Sequence, residues 1–241
     1  LFMKTEQLII HGLTIELTRK KIKNLHLRVY APHGQIRMTA PLHVKDKEIK
    51  DVIHSRLEWI KTQQQKFANR PVMPHLEYQT GEYHYFQGQR YLLNVIYHFA
   101  APKIQLQDST LHLYVREGSD AAKRQQVLDA WYRQQLQTLI PELIAKWQPV
   151  IKVNVADWGV KQMKTRWGTC NIRDRRIWLA LELAKKPLIC LEYVVVHEMT
   201  HLLERYHNER FYGFMTIFLA DWRNIRLELN QQNVNQQILE E

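Results

Sequence analysis

Hydrophobic and polar positions alternate along the first part of the chain and then change period. Residues 6–18 (EQLIIHGLTIELT) have strand-like composition, broken by a turn at His11 and Gly12. In residues 23–30, Leu25, Leu27 and Val29 alternate with Asn24, His26 and Arg28, which predicts a half-buried strand. Pro32, His33 and Gly34 turn the chain into residues 35–39 and predict a hairpin. After Pro41 the spacing becomes helical. Ile49, Val52, Ile53, Leu57 and Ile60 predict one amphipathic helix over residues 45–68, closed by Pro71 and Pro74. Alternation returns in residues 82–86, 90–98, 103–106 and 110–115, with turns at Gly88, Pro102 and Asp108-Ser109. Ser119 is a candidate N-cap for a long helix to about Trp147, with Pro141 a kink or break and Pro149 its end. Residues 151–155 have the β-branched residues of a strand. Residues 163–170 and 177–181 read as paired strands, and 211–229 as an apolar helix ahead of a frayed tail from Asn230.

One stretch between these elements carries chemistry. Residues 193–211 read YVVVHEMTHLLERYHNERF, with His197, Glu198 and His201 in the H-E-x-x-H pattern. Residues i and i+4 share a helix face, so His197 and His201 can offer two imidazoles to one ion. Glu198, next to the first ligand, can take a proton from a metal-activated water. Val195, Met199 and Leu202 form a separate apolar stripe, so the helix enters a core. A straight helix would point His207 away from His201, so the helix must end near residues 203–205 and turn back. Glu204 stands where metzincins have glycine. Asn208 suits the N-cap of a following helix, which leaves His207 in the turn. The rival third ligand is a glutamate on that next helix, such as Glu228.

Three ordered motifs, HEMTHLLERYHNERF, RWGTCN (residues 166–171) and WRNIRLELN (222–230), resemble the YgjP-like metallopeptidases. KNLHLRV, GQIRMTAP and Trp59-Ile60 are similar to that family's N-terminal portion, so the likeness covers most of the chain. The resemblance implies zinc held by His197, His201 and His207, with Glu198 as catalytic base. It is more distantly similar to SprT-type proteases, which act on proteins associated with DNA. The expected architecture is α+β: a zincin-like catalytic domain over residues 119–241, preceded by a β-rich region with one helix over 1–118. The hairpin before the metal helix is a candidate cleft wall. There Arg166, Trp167, Gly168 and Thr169 are candidate substrate-binding residues, although Trp167 packed in the core explains the same pattern. Arg166, Tyr206 and Tyr212 are the candidate oxyanion donors, and Cys170 is expected to be a buried thiol.

Composition narrows the setting. With 241 residues the chain can bury a core, and 45% hydrophobic and 24% charged residues are ordinary for a globular protein. Two cysteines argue against a disulfide framework and point to the reducing cytoplasm. Neither a membrane-spanning apolar run nor a signal segment is evident. A net charge of +10 permits nucleic-acid binding, but the charges are dispersed outside residues 19–23 and 173–176 and no such motif stands out. Tyr83, Tyr85, Tyr91 and Tyr97 read as alternation in a sheet. A zinc-dependent hydrolase acting on peptides or proteins is the expected activity.

Overall fold

Residues that alternate in burial along the first forty positions build a four-stranded sheet. β1 (Thr5–Ile10), β2 (Leu13–Lys20), β3 (His26–Tyr30) and β4 (Gln35–Pro41) lie in the order β1-β2-β4-β3. The outer pairs are antiparallel and β2–β4 is parallel. The β1–β2 turn uses left-handed backbone at His11 and Gly12, a geometry that costs glycine nothing. The structure, a computed structural model, describes residues 5–30, 33–68 and 76–231. The chain divides into two units, Leu1–Pro74 and His75–Glu241. In the first, Ile15, Leu17, Ile36 and Met38 bury one sheet face together with Ile49, Ile53 and Ile60.

Those three isoleucines sit on two helices, α1 (Asp46–Ser55) and α2 (Leu57–Ala68), where the periodicity predicts one. At the break, Ser55 turns its Oγ back to the Val52 carbonyl at 2.9 Å, so a side chain competes for a group of the helical ladder. The expected stops at Pro71 and Pro74 lie outside the described residues, as does the tail beyond residue 231.

The second unit opens with the strands that alternation predicts: β5 (Tyr83–Phe86), β6 (Gln89–Tyr97), β7 (Lys103–Gln107) and β8 (Thr110–Val115). Their order is β5-β6-β8-β7, again with the inner pair parallel. The boundary expected near residue 118 falls within this unit, at the start of α3 (Ala121–Ile151). The cap of α3 is Asp120 rather than Ser119, its carboxylate accepting from the Lys123 N–H at 2.7 Å. Neither Pro141 nor Pro149 ends the helix, and residues 151–155 do not form a strand. Burial of Ile140, Leu143, Ile144, Trp147 and Ile151 in the main core outweighs the two lost backbone donors. The helix stops at Lys152, whose left-handed conformation turns the chain.

β9 (Asp157–Lys161), a strand with no clear signature, pairs in parallel with β11 (Arg176–Ala180). β10 (Gly168–Asn171) pairs antiparallel with β11 through the turn expected at 171–176, and begins later than residue 163. The order β10-β11-β9 leaves β10 at the sheet edge. A 3₁₀ turn (Leu181–Lys185) then delivers the chain to α4 (Leu188–Thr200). The β5–β6 turn grips this junction: Gln87 and Gly88 donate to the Ala184 and Lys185 carbonyls at 2.9 and 3.1 Å. A Cβ on Gly88 would stand 2.7 Å from the Pro187 ring, and φ is +79° there. The last apolar stretch forms α5 (Glu209–Phe218) and α6 (Trp222–Gln231), not one helix. No helix among the described residues is long and apolar enough to cross a membrane.

Candidate metal centre

Helix α4 is apolar on almost every side, as befits a central helix, and buries every residue from Tyr193 to Thr200. His197 and Glu198 are therefore carried into the core by their neighbours. The helix closes sooner than predicted. His201 is its C-cap, and the Leu203 and Glu204 N–H groups return to the Thr200 carbonyl at 2.9 and 3.0 Å. The chain reverses through residues 202–207, and Asn208 caps α5 by accepting from the Phe211 N–H at 3.0 Å.

This reversal brings three imidazoles together. One ligand nitrogen from each of His197, His201 and His207 lies within 4.8 Å of the others. The Nε2 atoms of His197 and His207 are 3.0 Å apart, close to the separation of about 3.4 Å expected for two nitrogens sharing a tetrahedral zinc. Nδ1 of His201 donates to the Glu204 carbonyl at 3.2 Å, which fixes that ring's tautomer and leaves Nε2 its lone pair. Burial and the neighbouring rings push His197 well below the ordinary histidine pKa, and burial with His207 lowers His201. Neutral rings are the form that binds a metal. The chemistry of this donor set fits a divalent cation of the zinc type. Glu228, the alternative ligand, is exposed on α6 and is not in the cluster.

Beneath the rings lies Phe211, fully buried, its centroid 4.9, 4.7 and 4.8 Å from those of His197, His201 and His207. Behind His207 runs a stack. Tyr212 lies 6.2 Å from the imidazole at 22°, Trp222 lies 5.2 Å from Tyr212 at 9°, and the Arg223 guanidinium sits 4.5 Å over Trp222. Sequence spacing marks Phe211 and Trp222 as core but gives no sign that Phe211 meets all three ligands or that Tyr212 joins Trp222 to His207.

Glu198 faces a cleft of about 390 Å³ lined also by Arg166, Gly168, Thr169 and the three histidines. Burial pushes its carboxyl up to about 8, with Arg166 acting the other way. Gly168 is the near neighbour: a Cβ there would stand 2.6 Å from Glu198 Oε1. Of the other sequence candidates, Trp167 borders the cleft but is only 1% exposed, and its Nε1–H donates to Asn230 Oδ1 at 3.3 Å. Cys170 is half-buried on the cleft wall, its thiol pushed up to about 12 by burial and by Glu198. Tyr206 lines the cleft, whereas Tyr212 lines a second cavity on the other side of His207. Arg205, singled out by no sequence motif, also lines the cleft.

A search of the curated proteins finds no match. Among solved structures, the chain is similar to the crystal structure of the metallopeptidase zymogen of Pyrococcus abyssi abylysin. That likeness has 13% identity and a TM-score of 0.38, over 41% of this chain and 99% of that one. The YgjP-like model matches residues 23–232, which include the histidine cluster, Glu198 and the cleft-lining strand β10. The chain belongs to the YgjP-like metallopeptidase domain family.

Proposed function

We propose that the protein is a zinc-dependent peptidase of zincin type, with residues 119–241 carrying the chemistry. His197, His201 and His207 hold the ion, and Glu198 is the general base. The observation that carries this reading is the convergence of three imidazoles beside a buried carboxylate in one cleft. When bound, zinc supplies Lewis-acid polarisation of a carbonyl and acidifies water. Glu198 takes a proton from the attacking water and returns it to the leaving amine. Its burial raises its basicity, with Arg166 acting the other way. Phe211 fixes the spacing of the rings and keeps water from their inner side.

The substrate adds as an extended strand to the edge of β10, held by backbone hydrogen bonds where Gly168 and Thr169 line the cleft. Gly168 serves two ends, since it admits the Glu198 carboxylate and leaves the strand edge low. Replacing Glu198 with Gln keeps the shape and removes the base. Zinc content is expected to match wild type while peptide hydrolysis falls by about 10²–10⁴-fold. Undiminished hydrolysis by Glu198→Gln overturns the base assignment.

A further inference from the structure

Fixed charge around the three imidazoles is lopsided. Among the described residues that line the cleft, the charged groups are Arg166 and Arg205 and the carboxylate of Glu198, which the chemistry already uses. Across His207, the described residues that line the second cavity include Arg223, Arg226 and the acid Glu209. His207 lines both spaces, so the two lie on either side of one ligand. Glu204, the nearest further acid in sequence, is engaged: it accepts from the Tyr206 N–H at 3.2 Å and lies 3.7 Å from Arg210.

Two of these arginines are set to meet a ligand. Arg205 and Arg223 are both exposed, and among the described residues neither has a carboxylate partner. Each rests its guanidinium over a ring, Arg205 at 5.5 Å from Tyr206 and Arg223 at 4.5 Å from Trp222. Stacking occupies the flat face of a guanidinium and leaves its in-plane N–H fork for a carboxylate or phosphate. The ring beneath also restrains the side chain, so less freedom is lost on binding. A cleft walled by protein and lined by an excess of one sign of charge concentrates the opposite sign.

We propose that this site, on its reading as a peptidase, selects peptides bearing anionic groups on both sides of the scissile bond, with Arg205 reading one side and Arg223 the other. The recognised chemistry is a carboxylate or phosphate on a side chain. Lysine or arginine at the same places meets like charge and is rejected.

The test uses the zinc-loaded full chain and one peptide sequence made with Glu, phosphoserine, Gln or Lys flanking the cleaved bond. Wild type is expected to favour the Glu or phosphoserine peptide over the Gln peptide by about tenfold in kcat/KM, the size of one charge-assisted contact. The Lys peptide falls below the Gln peptide, and the preference shrinks as salt rises from about 50 to about 500 mM. Preference for only one of the two anionic peptides supports the proposal and names the group. Arg205→Glu and Arg223→Glu should each lower the anionic-to-Gln ratio, each for the charge on one side of the bond. Equal rates on all four peptides, or a ratio that neither variant moves, overturn the proposal and leave the peptidase reading standing. Fluorescence anisotropy with the zinc-loaded Glu198→Gln protein separates the two ideas. Tighter binding of the anionic peptides, with no peptide hydrolysed by wild type, sustains the charge selection and sinks the peptidase. Equal binding of all four peptides, or none, counts against the selection.

Discussion

The chain builds one arrangement of strands twice. β1–β4 and β5–β8 are each two hairpins joined through a parallel inner pair, and each is followed by a helix a few residues after its last strand. Ile36, Met38 and Ala40 on β4 have their counterparts in Leu111, Leu113 and Val115 on β8, and all six are buried. The two helices then diverge. In the first region the helix stops after ten residues at Ser55. In the second it runs for 31 residues, through two prolines, into the elements that carry the histidine cluster. The histidines obey the same division. In the first region His26, His43 and His54 lie at the surface, and His54 approaches His11 at 3.1 Å. In the second, three rings converge over Phe211 beside a buried carboxylate. A repeated scaffold therefore does not repeat the chemistry, which depends on burial and convergence after α3.

The largest effect that would break this contrast is loss of Glu198; Glu198→Gln should lower turnover by about 10²–10⁴-fold and spare zinc. Gly168→Ala comes next. Its added methyl would occupy the space of Glu198 Oε1, and a base displaced by about 1 Å costs on the order of 10²-fold in kcat. Zinc content measured alongside should stay at the wild-type level, and full activity would show that the carboxylate is free to move. Tyr212→Ala removes the ring between His207 and Trp222. Zinc affinity by chelator competition should fall by about tenfold, as when a supporting contact to a ligand is lost, and an unaltered affinity would make the stack mere filling.

The smallest effect concerns Lys186, a lysine only 3% exposed that lies 5.5 Å from the Trp167 ring. Burial lowers its ammonium from 10.5 to about 8, against the pull of Cys190, Glu182 and Glu228. Below pH 8 both folded and unfolded chains hold the proton, and the cost of the buried charge is complete. Between pH 8 and 10.5 the unfolded chain keeps the proton that the folded chain has released, so this residue's contribution improves as pH rises. Lys186→Met should raise Tm by a few degrees at pH 7, with the gain shrinking across that window. A gain that is constant with pH would assign the effect to packing instead.

The strands of the two four-stranded sheets are legible in the sequence because each alternates with one buried face, and the H-E-x-x-H helix is legible because its spacing is chemical as well as periodic. β9 is not: Gly159 interrupts it, and each of its residues pairs with one nineteen positions later on β11, a span that local pattern does not reach. Prolines mislead at α3, where the core contacts of Ile140, Ile144 and Ile151 hold the helix together. His207 can be found from its place in the chain together with the cap at Asn208. Phe211 under all three rings, and Tyr212 and Trp222 behind one of them, cannot, because ring orientation is fixed by tertiary packing.

Zinc titration of the metal-stripped protein, monitored by calorimetry, puts the convergent imidazoles to the most direct test. One equivalent should bind to wild type and to His54→Ala with the same affinity, and His207→Ala should bind at least about tenfold more weakly. Equal affinity in wild type and His207→Ala, or no stoichiometric binding to wild type, would contradict the site.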